Sequence, residues 1–447
     1  SLSLGRVRTP TLNMVVQRDL AIESHKPTPF WRLIVPMDGW TLESGKIEDQ
    51  VMARRILADA MGPPAEILEV RRRREHAKPP TLFDLTGLQK AMSERHGLTA
   101  EQTLDCLQHL YEMKVATYPR TDSKYITHDD VDGLKELLQP KYALGFLDQK
   151  PVEAIHDLYS AGGFDPMRCV ADDKVQGHTA ILPTRRLTYD VFQHDLTDME
   201  REVIAVILTR MWSACATDRV HDTVKVEAVL DERHADGSME RVPLSASSDV
   251  TVEAGWTAIE GTSRTDDAEK KPVNRIPDSL GKGPLPQSGA PSLTEGVSAP
   301  PKPFTEATLL SAMEHASRFV ADSDLKAALD DDTSHSGGIG TPATRAGLLE
   351  SLVKSGYLQR KGKQLRSTPA GRMLVGVAID ELKDVKLTAP WEQSLADIAQ
   401  GKGDETVFLN EIRTACAAMP GRVMEMTRRD NLQQLVRQAG ERESFGP

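Results

Sequence analysis

Between Gly340 and Pro369 the chain spells a helix, a tight hairpin and a second helix, an order that few folds accommodate. Gly340-Thr341-Pro342 is an N-cap followed by proline at the first helical position, where the missing N–H costs nothing. Leu348, Leu349, Leu352 and Val353 then recur at helical spacing until Gly356, a residue type that ends helices. Tyr357-Leu358, Lys361-Gly362-Lys363 and Leu365-Arg366 read as a hairpin, and Thr368-Pro369 opens the next helix. The spacing predicts a winged-helix-like unit whose wing carries Arg360, Lys361, Lys363 and Arg366. Those charges suit a solvated hairpin as well as one that faces a nucleic acid.

The rest of the chain is long enough for several such units. Its 447 residues, 39% hydrophobic and 27% charged, fit a soluble globular protein of two to four domains. No apolar run approaches the roughly 18 residues of a membrane helix. Cys106, Cys169, Cys215 and Cys416 stand too far apart for a zinc ribbon or a dense disulfide framework, which suits a reducing compartment. The start, Ser1 to Arg6, is neither a signal nor a transit peptide and lacks an initiator Met, so the chain is expected to be cut from something longer.

Local signals place the elements. Thr9-Pro10 predicts a helix start, and Phe30–Val35 a strand ended by Pro36. A basic run covers Arg71–Arg74. Leu85, Leu88 and Met92 mark a helix stopped by Gly97, and Thr99 with Gln102 forms a capping box for the next. Thr127 with Asp130 looks like another helix start. A long helix is expected from Asp198 to about Ala214, and a strand over Thr223–Val226. Residues 276–303, rich in Pro, Gly and Ser, read as a linker, and from Phe304 onward the pattern is mainly helical.

Charge alone points away from nucleic acid. Lys and Arg total 55 against 66 Asp and Glu, a net charge of −11. Net charge averages over the whole surface, however, and leaves room for a local basic groove.

The sharpest chemical signal is Thr117-Tyr118-Pro119-Arg120-Thr121-Asp122-Ser123. Pro119 restricts Tyr118 to an extended backbone, so the preceding helix must end and the phenol is presented at a fixed angle. A free phenol, with a pKa of about 10, is a poor nucleophile at neutral pH. A neighbouring guanidinium favours the phenolate and can hold a phosphate oxygen, which makes such a tyrosine a candidate nucleophile for a phosphodiester. Most Tyr-Pro-Arg triplets are simple turns, so the other pieces decide. Gly177-His178-Thr179-Ala180 puts a histidine before an apolar stretch. Gly337 to Arg345 is a glycine-rich loop opening a helix, whose N-terminus offers free N–H groups to a phosphate. It lacks the Gly-Lys-Ser/Thr ending of a nucleotide P-loop.

These stretches resemble the type IA DNA topoisomerases, most closely the bacterial topoisomerase III branch. The matching segments lie in family order: Leu4 to Leu12, Leu110-Tyr111-Glu112 through Ser123, His178 to Thr184, Pro301 to Ala312, Gly338 to Arg345 and Thr388 to Glu392. The resemblance implies a multidomain, mainly α fold with a β-rich arch, a toroid of winged-helix-like helical domains. Base segments would be 1–28 and 304–447, the arch 29–80 plus 185–275, the nucleophile-bearing lobe 81–184, and the linker 276–303.

It also implies roles. Tyr118 would attack a single-strand phosphodiester and become linked to the 5′-phosphate, so that no ATP is needed to reseal. Arg120 would stabilise charge on the phosphoryl oxygens and His178 would contact the phosphate. Thr341 and Arg345 would hold backbone upstream of the cut, and Arg6 and Arg8 match a strand-contacting segment. Gln108 and Glu112, four apart on one helix face, align with polar residues near the family's site. Thr117, Thr121 and Asp122 flank the nucleophile, and local turn hydrogen bonding accounts for them equally well.

The family's N-terminal Toprim domain, which supplies the general acid and binds Mg2+, is expected to be absent. It would lie on a missing segment or a separate chain, leaving no metal ligand and no zinc module here. Asp322-Ser323-Asp324 and Asp330-Asp331-Asp332 read as solvated acids rather than substitutes. The expected substrate is single-stranded DNA. The expected state is a bacterial, cytoplasmic, nucleoid- or plasmid-associated monomer with no membrane partner, which relaxes or decatenates DNA. A non-catalytic single-stranded-DNA-binding remnant of that enzyme is the rival reading.

Overall fold

A computed structural model describes residues 4–233, 239–261, 274–316, 338–383, 391, 394–395, 397–398 and 401–427. The two acidic runs, Gly337, and most of the Thr388–Glu392 motif lie outside them. The helices are α1 Arg8–Ser24, α2 Gln50–Asp59, α3 Leu85–Arg95, α4 Ala100–Glu112, α5 Val131–Leu137, α6 Gln149–Ser160, α7 Asp198–Cys215, α8 Thr257–Glu260, α9 Glu306–Glu314, α10 Pro342–Lys354, α11 Pro369–Val377 and α12 Glu405–Thr427. A turn of helix at Asp380–Lys383 follows α11. No helix among the described residues is long and apolar enough to cross a membrane.

The strands form two antiparallel sheets. The larger has seven, in the order β6-β3-β4-β5-β2-β1-β7. Here β1 is Pro29–Met37, β2 Trp40–Ser44, β3 Ala65–Ala77, β4 Arg219–Arg233, β5 Met239–Glu253, β6 Gly283–Leu285 and β7 Ser292–Val297. Its buried face repeats with period two, as a half-buried strand requires: Trp31, Leu33, Val35 and Met37 on β1 face inward with Trp40 and Leu42 on β2. Helix α2 closes this core with Ala53 and Ile56. The basic run Arg71–Arg74 lies in β3, where acids meet it: Arg71 binds Glu69 at 2.6 Å and Arg74 binds Asp222 at 2.8 Å.

The expected linker proved structured. Strand β7 pairs with β1 on one edge of the sheet and β6 with β3 on the other, so residues 276–303 return across the whole sheet. Edge pairing needs backbone N–H and C=O groups, not apolar side chains, so composition gave no sign of it.

The helix–wing–helix follows its signals. Gly356 (φ +71°) ends α10 and Gly362 (φ +59°) turns β9 Leu358–Lys361 into β10 Gln364–Ser367. The Thr368 hydroxyl accepts from the Gly371 N–H to cap α11. Strand β8, Phe304–Thr305, adds to β10, making the smaller sheet β8-β10-β9. Three of the wing's four cations bind protein groups, while Lys361 is exposed. Arg360 binds Glu306 and Glu350, each at 2.7 Å; Arg366 lies 2.8 Å from the buried Asp19; and Lys363 donates to the Glu94 carbonyl. Helix α1 starts at Arg8, two residues before the expected first helical position at Pro10, and the Thr9 hydroxyl accepts from the Gly5 N–H.

Among the described residues three apolar cores result. One lies under the large sheet. A second joins α1, α9, α10, α11 and the wing. The third gathers Leu82–Leu182 and continues through Leu187, Phe192 and α7 to Ala216. The expected division at 184/185 therefore falls inside a core. The cause is α7, buried nearly all round through Val203, Ile204, Val206, Ile207, Leu208, Met211 and Trp212, as only a central helix can be.

Candidate active site

Helix α4 must stop before Tyr118, and it does so through a C-terminal lock. Lys114 takes the left-handed conformation (φ +64°), the one non-glycine residue to do so among those described. Its N–H donates to the Tyr111 carbonyl at 2.8 Å, and the Val115 N–H to the Leu110 carbonyl at 2.9 Å. Lysine there costs about 1 kcal/mol relative to an unstrained backbone.

Beyond the lock, residues 115–125 run beside 178–184 and exchange hydrogen bonds with them. The Thr117 N–H donates to the Leu182 carbonyl, and the Leu182 N–H to the Thr117 hydroxyl, both at 2.9 Å. The Ala180 N–H donates to the Tyr125 carbonyl, and the Thr121 hydroxyl donates to the His178 carbonyl at 3.2 Å. This ladder brings His178 to Tyr118, sixty positions apart in sequence. Their rings stack with centroids 4.1 Å apart and planes 29° from parallel, while Tyr111 meets Tyr118 edge-on at 5.5 Å. His178 and Tyr111 are exposed and Tyr118 is half-buried.

Arg120, also exposed, donates to the Gln108 side-chain carbonyl at 3.0 Å, and the Gln108 amide donates to Glu112 at 2.9 Å. Tyr118, Arg120, His178, Gln108 and Glu112 therefore share one surface. Thr117 and Thr121 border it, but their hydroxyls serve the backbone: Thr117 donates to the Ala180 carbonyl and Thr121 accepts from the Ser123 N–H. Asp122 is exposed beside them.

The remaining expected residues lie elsewhere. Thr341 is exposed at the start of α10, its N–H bonded to the Thr344 hydroxyl. Arg8 donates to the Ser355 hydroxyl at 2.7 Å, beyond the far end of α10, and lies over the Tyr357 ring. Arg6 is half-buried. Arg345, expected on a phosphate, is only 4% exposed. Its guanidinium donates to the Ile339 carbonyl and the Thr86 hydroxyl, both at 3.2 Å, so it holds the glycine loop against α3. A Cβ on Gly338 would come within 2.9 Å of Arg345 Nη2 and the Met313 and Glu314 carbonyls, which is why only glycine fits there.

Sequence reasoning missed the charges around that arginine. Glu314, 5% exposed at the end of α9, binds Lys90 of α3 at 2.8 Å and Lys124, six residues past the tyrosine, at 3.4 Å. Asp84 caps α3 through the Gly87 N–H and lies 3.7 Å from Lys124. Asp84 before Leu85 was readable as an N-cap; the Lys124 it shares with Glu314 of α9 had no local signal.

Burial alone would raise the Glu314 pKa, but the hydrogen bond and charge of Lys90, with Lys124, bring it down to about 2. A carboxyl held below its ordinary 4.5 stabilises the fold fully above about pH 4.5, and that contribution is lost as the pH falls toward 2. Asp84 runs the opposite way: burial raises its pKa, so the folded state gains as it is protonated. Glu314→Gln is expected to destabilise the chain at neutral pH, with the difference from wild type shrinking below about pH 4. Urea unfolding across that range measures it, and a difference independent of pH would contradict the assignment.

Among the described residues no group of three or more His, Cys, Asp or Glu is placed to hold a metal ion. The Mg2+ that the resemblance assigns to a Toprim domain has no fitting ligand set among these residues.

A family model described as DNA topoisomerase matches residues 1–410. DNA topoisomerase 3 of Bacillus subtilis is 31% identical over 421 residues, spanning 92% of this chain and 55% of that protein. Its namesake in Pasteurella multocida is 29% identical over 444 residues, spanning 92% of this chain and 64% of that one. The structure of full-length topoisomerase I from Thermotoga maritima shares the fold, with a TM-score of 0.64 at 20% identity over 93% of this chain and 62% of that one. The chain therefore spans 55% to 64% of the length of these proteins, and it belongs to the DNA topoisomerase family, whose type IA members its motifs resemble.

Proposed function

We propose that this chain is the strand-cleaving body of a type IA DNA topoisomerase, acting on single-stranded DNA. The observation that carries the reading is the Tyr118–His178 ring stack with Arg120 on the same surface, built from segments that only the fold brings together. Tyr118 Oη attacks the phosphorus, the bond from phosphorus to the 3′-oxygen breaks, and the 5′-phosphate remains on the tyrosine. The phenol gives up one proton and the departing 3′-oxygen takes up one, so the step balances. Its reversal reseals the strand, and the phosphotyrosine conserves the bond energy without ATP. Arg120 and His178 offset charge that develops on the phosphoryl oxygens. Thr341, at an exposed helix N-terminus, together with Arg6 and Arg8, guides the strand toward Tyr118.

In this reading the lobe centred on Tyr118 lifts from the helical base to pass a second strand, relaxing or decatenating DNA. The protein works as a cytoplasmic monomer at the bacterial nucleoid or on plasmids. Mg2+ and the general acid belong to a Toprim domain.

The test is covalent capture. The chain is mixed with end-labelled single-stranded DNA, alone and with a type IA Toprim domain and Mg2+ supplied separately, then denatured. Label bound to protein in the complemented reaction supports the reading. Binding without any capture would leave a non-catalytic DNA-binding protein instead.

A further inference from the structure

Beside the nucleophile lies a cleft of about 390 Å3 that none of the roles above uses. Leu134, Leu137, Leu182 and Pro183 give it an apolar floor, and Thr117, the residue before Tyr118, forms part of its wall. Lys114, Arg185 and Arg186 stand on its rim, all exposed. Arg185 is offset by Glu136 at 2.7 Å, and Asp130, which also lines the cleft, has a carboxylate oxygen bound by the Thr127 N–H and hydroxyl, which leaves Lys114 and Arg186 as the exposed cations of the rim. Lys114 is also the lone left-handed non-glycine residue among those described, and a strained residue at a site's edge is a place to look for function. Between it and Tyr118 lies Tyr111, exposed, touching the Tyr118 ring with its edge and bonded to Lys114 through the backbone.

The geometry points to a subsite for the single strand on the 3′ side of the cut, running from Tyr118 over Tyr111 to Lys114 and Arg186. This rests on Tyr118 as the nucleophile. A strand held by its 5′-phosphate on Tyr118 moves with the lobe, and the first groups it meets there are an aromatic face and two cations above an apolar floor. Exposed aromatic rings and backbone-tracking cations are what a single strand needs for binding without sequence preference.

Binding tests this without any cleavage. The full chain carrying Tyr118→Phe is titrated with a labelled thymidine oligonucleotide over a range of salt, and compared with the same chain carrying Lys114→Gly and Arg186→Gln. Glycine suits the backbone at 114, and 186 is exposed, so the variant keeps its fold, which a thermal melt verifies. Each phosphate contact on a single strand contributes about 0.7 to the slope of log affinity against log salt. The double variant is expected to bind roughly ten-fold more weakly at about 0.1 M salt, with a slope smaller by about 1.4. A control pair, Lys26→Gln with Lys150→Gln, is expected to change the slope by less than half as much. A strand carrying 5-iodouracil is expected to photocrosslink to Tyr111. Wild-type affinity and slope in the double variant, or a change no larger than the control's, would overturn the subsite and leave the proposed activity standing. No binding by the parent chain would overturn both.

Discussion

Arg345→Met is expected to cost about 3 kcal/mol of stability, because the guanidinium is buried in the protein. The substitution keeps most of the apolar stem and removes the planar fork. It strands the Ile339 carbonyl and the Thr86 hydroxyl without their donor, in a place too buried for bulk water to replace it. It also removes the cation whose pKa burial lowers and the Glu314 and Asp84 carboxylates hold up, so two buried carboxylates lose an opposing charge. Arg345→Lys is expected to recover less than half of the loss, because an ammonium cannot reach both acceptors in the guanidinium's geometry. Urea unfolding measures both variants. A cost below about 1 kcal/mol for Met would mean that the guanidinium does not hold the glycine loop in solution.

Tyr118→Phe is expected to reduce covalent capture of DNA by at least about 10⁴-fold, with strand affinity changed less than two-fold. The separation follows from geometry. The stack on His178 and the edge contact with Tyr111 are made by the ring, which phenylalanine keeps, so the surface retains its shape. Only the hydroxyl is lost, and with it the atom that bonds to phosphorus. Filter binding and denaturing gels read the two quantities on one sample. Comparable capture by both proteins would move the nucleophile elsewhere.

Much of this was legible wherever one local rule decides. Thr99 with Gln102, Thr127 with Asp130, Gly97, Gly356 and Thr368-Pro369 all mark element ends as capping chemistry requires. Tyr118, Arg120 and His178 were readable as a candidate set, but Pro119 said only that the helix cannot include Tyr118: α4 already ends at Glu112, where the left-handed Lys114 locks it. What was not legible depends on distant partners. Residues 276–303 have the composition of a linker, yet their backbone pairs with both sheet edges. Arg360 and Arg366 read as an outward charged wing, and buried acids from α9 and α1 turn them inward. Arg345 sits where a phosphate contact was expected, but Gly338, Thr86 and Glu314 surround it. In each case the deciding group lies far away in sequence, where no spacing rule reaches.

The central claim is that Tyr118 takes the 5′-phosphate of a cut single strand. One oligonucleotide labelled separately at each end, reacted with the complemented chain and denatured, tests it most directly. The account predicts that the 3′-end label stays on the protein, at the peptide containing Tyr118, and that the 5′-end label leaves with the free fragment. A 5′-end label on the protein, or a 3′-end label at another residue, would contradict it.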